Sequence, residues 1–501
     1  MLDFTKLARQ MQGVSHHLVA ESAALREKLR QAEQLMLQAQ THQAELVTRQ
    51  TQWRDRLIFT AAEPIEPLET RVTLPAPPSA HTVLATDGSQ IAPSHHEIAY
   101  CYLINIGRII LHYGQSKAPL LDSLPEVFYR PEDLFVSRQW GIRTEEWMGY
   151  CRTAAEAEVL AELAIAVRQS QRNSPLPSSN STTARIVPPR RASLPKAIDA
   201  EQLSLLALPG LESPSPESPS PGSYSSGSPS LELPAASRPK PMVPQAISDP
   251  AVPDLAVPDL AVPDLTVPDP PPTVDMPTAA IPTIAMVDGS LIYWFLEPLP
   301  GEARDRILQP ILQAWRQLQR IGVPLIGYVS ASRSGEALNF LRLQTCPYPA
   351  PDCATHCAHL PDKTPCQVLE PLRDGAVWAR LLQPGQRSPL WRSSARIQGF
   401  YDEQAIYFCY VHVGSEIARV EMPEWVVQDG DRCNAALSLV LAQVQKGYGY
   451  PVALAEAHNQ AVVRGSDRAR FFALLEQQMV KAGLRNVGTS YKEARKRGSI
   501  A

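Results

Sequence analysis

The chain has 501 residues, 44% of them apolar, with 48 prolines and a formal net charge of −4. That length can bury one large core or two ordinary ones, and the small net charge excludes a bulk-basic coat for nucleic acid, so any DNA contact must come from a local basic groove. The N-terminus does not read as a signal peptide, no apolar run is long enough to span a bilayer, and eight cysteines in so long a chain point to reduced thiols or a metal site; a cytoplasmic protein that does not engage a membrane is expected.

Residues 5 to about 58 read as one long polar helix, with Leu18, Leu25, Leu29, Met36 and Leu46 recurring among Gln, Glu, Arg and Ala and no proline before Pro64. Such a helix packs on its own domain or pairs in a dimer; a DNA-binding arm is the alternative. Residues 1–62 are assigned to this N-terminal segment. The segment 63–170 then opens a globular domain. His81–Thr86 reads as a short strand ending in Asp87-Gly88-Ser89, and Glu97–Ile106 and Arg108–Tyr113 as two strands joined at Gly107 in a hairpin. A helix follows over Thr144–Arg168.

The composition breaks between 171 and 280, which hold 24 of the 48 prolines and a single aromatic, Tyr224. A pentapeptide repeat, AVPDL-AVPDL-AVPDL-TVPDP, begins there at Ala251. Such a stretch buries too little apolar surface to offset its ordering entropy, and is expected to be a disordered insertion. The domain resumes over 281–475, with a strand at Thr283–Val287 that again ends in Asp288-Gly289-Ser290, a helix at Glu302–Arg320 and a strand at Pro324–Val329. A basic tail closes the chain at 476–501. Three strands, helix, strand, helix, strand and a late helix make the RNase H-like order, an α/β fold whose mixed sheet is flanked by helices.

The paired Asp-Gly-Ser tripeptides carry most of the chemistry. An Asp at a strand end projects from the sheet rim, and the following Gly lets the chain turn away. Two such carboxylates on neighbouring strands are costly unless protonated or bridged by a divalent cation; taken singly, either tripeptide is an ordinary turn. On the helix, Glu156 lies on the stripe of Val159, Leu160, Leu163 and Val167, whereas Glu158 and Glu162 lie on another face. A Glu on a buried stripe needs a partner, so Glu156 is the expected third carboxylate. Glu158 is the fallback, and a simple pairing of Glu156 with Arg152 the bland alternative. His458 shares an apolar face with Leu454, Ala461 and Val462 on a helix expected to start at Pro451 and end at Gly465. A lone helical His is also a common core residue.

These motifs resemble the NurA nuclease family: ATDGSQ at 85–90, VDGSL at 287–291, GYVSASRSGEALNFLR at 327–342 and PVALAEAHNQAVV at 451–463 fall in family order. The resemblance covers about 80–170 and 280–475. It implies an RNase H-like, metal-dependent hydrolase of DNA phosphodiesters, a 5′-to-3′ exonuclease and single-strand endonuclease acting on single-stranded and duplex ends. It implies work in double-strand-break repair with a HerA-type hexameric ATPase, and a homodimer. Asp87, Glu156, Asp288 and His458 would be the catalytic and metal-ligating residues, with Mn²⁺ or Mg²⁺ favoured by hard donors. A family tyrosine would fall in the Tyr407–Tyr410 strand. Arg333, Arg342 and Arg464 are the expected DNA contacts, each equally readable as a solvated charge. Separately, Cys346, Cys353, Cys357 and Cys366 fall close together and could hold a structural Zn²⁺ or an iron–sulfur cluster, or stay unbound buried thiols. The competing functional reading is a catalytically silent adaptor of a DNA-translocating ATPase.

Overall fold

The structure is a computed structural model that describes residues 4–93, 100–173, 281–360 and 364–483, the side chains of 5–6, 8–10, 12–22 and 173 excepted. The expected insertion at 171–280 lies almost wholly outside the described residues, as do Glu97 and the tail beyond 483. Near the N-terminus, α1 (Phe4–Thr41) and α2 (Gln43–Trp53) replace the single expected helix, broken at His42. The main strands are β1 (His81–Ile91), β2 (Tyr102–Tyr113), β3 (Leu120–Phe128), β4 (Thr283–Asp288), β5 (Leu325–Val329), β6 (Ile406–His412) and β7 (Ile417–Pro423). The longer helices that follow α2 are α3 (Thr144–Asn173), α4 (Gly301–Arg320), α5 (Glu336–Thr345), α6 (Asp374–Leu381), α7 (Gly430–Lys446), α8 (Val452–Ala461) and α9 (Gly465–Lys481).

All seven strands belong to one mixed sheet in the order β6-β7-β5-β4-β1-β2-β3, with short two-residue strands beyond β6. β1, β2 and β3 run antiparallel, while β4 and β5 run parallel to β1. β7 returns antiparallel beside β5. Side chains alternate across β6: Cys409 and Val411 join the core under α4 and α7, while Phe408 and Tyr410 join a second core with α1, α2, α5 and α6. Met36, Ala39 and Leu46 bury the N-terminal helices against that second core.

The sheet corrects the expected hairpin. β2 runs unbroken through Gly107, and its antiparallel partner on the far side is β3, which the sequence hid behind polar residues and Pro125. Gly107 is needed for a close approach, not for a turn. A Cβ there would stand 2.3 Å from Ala457 O and 2.7 Å from Ala461 N, so the missing side chain lets α8 lie directly on the strand. Likewise α8 ends at Ala461, and Gly465 opens α9 instead of closing α8.

Candidate active site

The parallel register of β1 and β4 pairs Thr86 with Val287. The next residues on the two strands, Asp87 and Asp288, therefore stand side by side, with neighbouring strands about 4.8 Å apart. The two Asp-Gly-Ser tripeptides nevertheless differ. β4 stops at Asp288, and Gly289 turns the chain away at φ +106°, a conformation that favours glycine. β1 instead continues through Asp87, Gly88 and Ser89 to Ile91. Gly88 makes room: a Cβ there would lie 2.4 Å from Glu156 Oε1 and 2.7 Å from Arg152 Cγ. The carboxylate of α3 thus reaches the strand because position 88 has no side chain.

Glu156 is fixed from below as well, since Thr86 Oγ1 donates to its carbonyl at 3.0 Å. Four small residues of α3, Ala154, Ala157, Ala161 and Ala164, are buried in the sheet core and bring the helix close. Asp87, Glu156 and Asp288 line one cavity of about 410 Å³ together with Arg152, Ser290 and Trp294. Glu158 faces outward and is exposed, so α3 presents Glu156 to the cavity.

His458 approaches from α8. Its Nδ1 lies 2.8 Å from Asp87 Oδ2, with the imidazole 65% exposed. The buried face of α8 is Ala453, Leu454, Ala457 and Ala461, which leaves His458 at the edge of that stripe and projecting to the sheet rim. Both ends of the helix are tied down. Asn105 Nδ2 donates to Ala461 O at 2.8 Å, Ser89 Oγ donates to the same carbonyl, and Gln443 Oε1 accepts from Ala453 N at 3.1 Å.

The electrostatics are those of crowded acids. Burial pushes Glu156 up to about 7; Arg152 opposes the shift, Asp87 and Asp288 add to it, and the Gly88 amide opposes it. Asp288 is also held above the usual carboxylate range, first by desolvation, against the hydroxyl of Tyr450, which donates to it. Arg152 Nε lies 3.3 Å from Glu156 Oε1 but has no partner in hydrogen-bonding geometry. One guanidinium facing three carboxylates leaves the cavity short of positive charge.

That chemistry fits a hard divalent cation, because carboxylates that raise one another's proton affinity are relieved by a bridging charge. The side chains do not form a finished cage: among the described residues, no group of three or more His, Cys, Asp or Glu is placed to hold a metal ion.

The same holds for the cysteines. Cys346, Cys353, Cys357 and Cys366 line one small cavity and none is in a disulfide. Burial raises the thiol pKa of Cys353 and Cys357 and favours the protonated form. Among the described residues, these thiols are not grouped to hold a metal ion. Arg342 makes its contacts in this loop: its Nε and Nη2 each approach Cys366 Sγ at 3.4 Å, Nη2 donates to Thr364 Oγ1 at 2.9 Å, and the guanidinium lies 3.7 Å over the Phe59 ring. Arg333 and Arg464 are exposed, the first in the loop after β5 and the second between α8 and α9.

Sequence reading missed four contributors. The tyrosine at the carboxylates is Tyr450; Tyr407 and Tyr410 turn to Glu424 and Asp374 instead. Trp294 and Phe295, 46% and 41% exposed, also line the cavity. The fourth is Glu421, a fully buried carboxylate that accepts from the turn after Asp288.

The family model described as the NurA domain matches residues 81–185 and 278–463, more than half of the chain. No curated protein sequence matches. A solved structure, the crystal structure of the NurA nuclease from Sulfolobus solfataricus, is 10% identical with a TM-score of 0.43, covering 96% of this chain and 98% of that one. No described helix is long and apolar enough to cross a membrane. By the family match, with its two segments enclosing both Asp-Gly-Ser strands, α3 and α8, the chain belongs to the NurA domain family.

Proposed function

We propose that this chain is a metal-dependent DNA nuclease built on an RNase H-like core. The strand order β3-β2-β1-β4-β5, three antiparallel strands followed by two parallel ones, supports that core. The observation that carries the activity is the parallel register that sets Asp87 beside Asp288, with Glu156 lying over Gly88 and lining the same cavity. Asp87, Glu156, Asp288 and His458 would hold Mn²⁺ or Mg²⁺. When bound, the cation would activate water and neutralise charge on the departing 3′ oxygen.

The chain's own residues do the rest. Asp87 receives His458 Nδ1 and thereby orients the imidazole, leaving Nε2 free to take or give a proton at the exposed rim. Trp294 and Phe295 offer aromatic faces on which an unpaired base can stack. Arg333 and Arg464, both exposed, would meet phosphates. The 5′-to-3′ exonuclease and single-strand endonuclease activities, the role in break processing, the HerA-type ATPase partner and the homodimer belong to the same proposal, and rest on the family.

The test is digestion of end-labelled single-stranded and duplex DNA by purified protein with Mn²⁺, with EDTA, and with a small chromogenic phosphodiester. Mn²⁺-dependent cutting of DNA supports the reading. Hydrolysis of the small ester with DNA left intact would point to another hydrolase, and no hydrolysis at all, with or without an ATPase partner, to an adaptor.

A further inference from the structure

Glu421 sits on β7, two strands away from Asp288, yet it holds the turn that Asp288 begins. Its Oε2 accepts from Leu291 N at 2.7 Å and from Ser290 Oγ at 2.8 Å. Its Oε1 accepts from Arg419 Nε at 2.7 Å. Both ion-pair side chains are out of water, at 2% exposure for Arg419 and 0% for Glu421.

The reach across β5 depends on Gly327. Glu421 stands opposite Gly327 in the β7–β5 register. A Cβ at 327 would strike Leu291 Cγ at 2.8 Å and Gly289 O at 2.9 Å, so the turn lies directly on the bare backbone of β5. Gly289 N also donates to Tyr328 O at 2.8 Å, and Ile292 N to Ser290 Oγ at 3.0 Å. Each link of the turn after Asp288 is thus pinned.

Arg419 is itself locked. Its Nη1 donates to Ser334 Oγ at 2.8 Å, its Nη2 to Glu336 Oε2 at 3.0 Å, and its plane lies 3.6 Å over the Phe408 ring. A buried ion network of this kind seldom gains stability over apolar packing of the same volume. What it provides here is a fixed carboxylate at one point.

We propose that Glu421, held by Arg419, is a positioning residue that sets the direction of the Asp288 carboxylate through Ser290 and Leu291. This rests on the nuclease reading above. Ser290 transmits the hold, and the chemistry of that link is a hydroxyl donating to a carboxylate.

The experiment compares wild type with Glu421→Gln, Ser290→Ala and Ser290→Thr in the full chain. Mn²⁺ binding is read by the EPR signal of the free ion, DNA cleavage as kcat and KM, and folding as Tm. Glu421→Gln is expected to weaken Mn²⁺ binding and lower kcat by about 10- to 100-fold, as loss of a supporting contact does, with KM within about twofold. Ser290→Ala should lose kcat in the same direction with Tm unchanged, and Ser290→Thr, which keeps the hydroxyl, should restore it. Glu421→Gln and Ser290→Ala that lower Tm at most, with kcat and Mn²⁺ affinity at wild-type values, would overturn the proposal. Should Glu421→Gln fail to fold, the Ser290 pair decides alone. Wild type that neither binds Mn²⁺ nor cuts DNA would instead remove the nuclease reading, and this inference with it.

Discussion

His458 Nδ1 lies 2.8 Å from Asp87 Oδ2, joining a residue of α8 to one of β1 across most of the chain length. The contact fixes the ring orientation at the mouth of the cavity while the imidazole stays 65% exposed. His458→Ala should therefore leave stability within about 0.5 kcal/mol of wild type. Cleavage should fall by roughly 10²- to 10⁴-fold, the range for removing a positioned acid–base group. Thermal unfolding and kcat measured on the same preparation separate the two effects.

Gly88 and Gly107 make a paired prediction. Alanine at either position overpacks, at about 1–3 kcal/mol. At 107 the added carbon meets the backbone of α8, 2.3 Å from Ala457 O, which has no side-chain freedom to yield. At 88 it meets side-chain atoms only, the carboxylate end of Glu156 and the stem of Arg152. Gly107→Ala should show the larger loss in Tm, and Gly88→Ala the larger loss in activity relative to its loss in Tm.

The pH dependence follows from Glu156, pushed up to about 7 by burial and by its acidic neighbours. A carboxyl whose folded value lies above its unfolded one adds stability that is complete below the unfolded value and is lost as pH rises through the folded one. Metal-free protein should lose stability between about pH 5 and 8 more steeply than Glu156→Gln does. Mn²⁺ competes with that proton, so its affinity should rise up to about tenfold per pH unit towards 7 and then level off. Calorimetric titration in buffers of different ionisation enthalpy would show the proton released on binding.

Trp294 and Phe295 lie at the cavity with 46% and 41% of their surface exposed. Trp294→Ala should weaken single-stranded DNA binding by about 1–3 kcal/mol, the usual worth of one stacked base, with little change in Tm. Fluorescence anisotropy of a labelled oligonucleotide reads this directly; equal affinity for both proteins would place the strand elsewhere.

Much of the architecture was legible where a hydrophobic run ended in a polar signal. Both Asp-Gly-Ser strands were readable as short apolar runs ending in a turn signal, and α4 because a period of about 3.6 persists along it. Glycine misled the reading twice. Gly107 and Gly88 resemble turn residues in sequence, yet each serves a helix that crosses the strand closely, and only the third dimension shows which. β3 was hidden because an edge strand with both faces partly wet has no alternation to read.

Glu156 was legible by its place on an apolar stripe. Tyr450, which donates to Asp288, was not, because the Gly-Tyr-Gly-Tyr-Pro segment reads as a loop. Glu421 was illegible for a related reason: one acid inside a buried strand has meaning only once Arg419 and the turn at Ser290 stand beside it.

The central claim is that Asp87 and Asp288 serve one shared site. Mn²⁺-dependent cleavage of end-labelled single-stranded DNA by wild type, Asp87→Ala, Asp288→Ala and the double variant tests it most directly, with folding checked by circular dichroism. Each single variant should lose activity to about the level of the double, since residues acting as one unit are strongly non-additive. Cleavage that survives both substitutions would contradict the shared site and place the chemistry elsewhere.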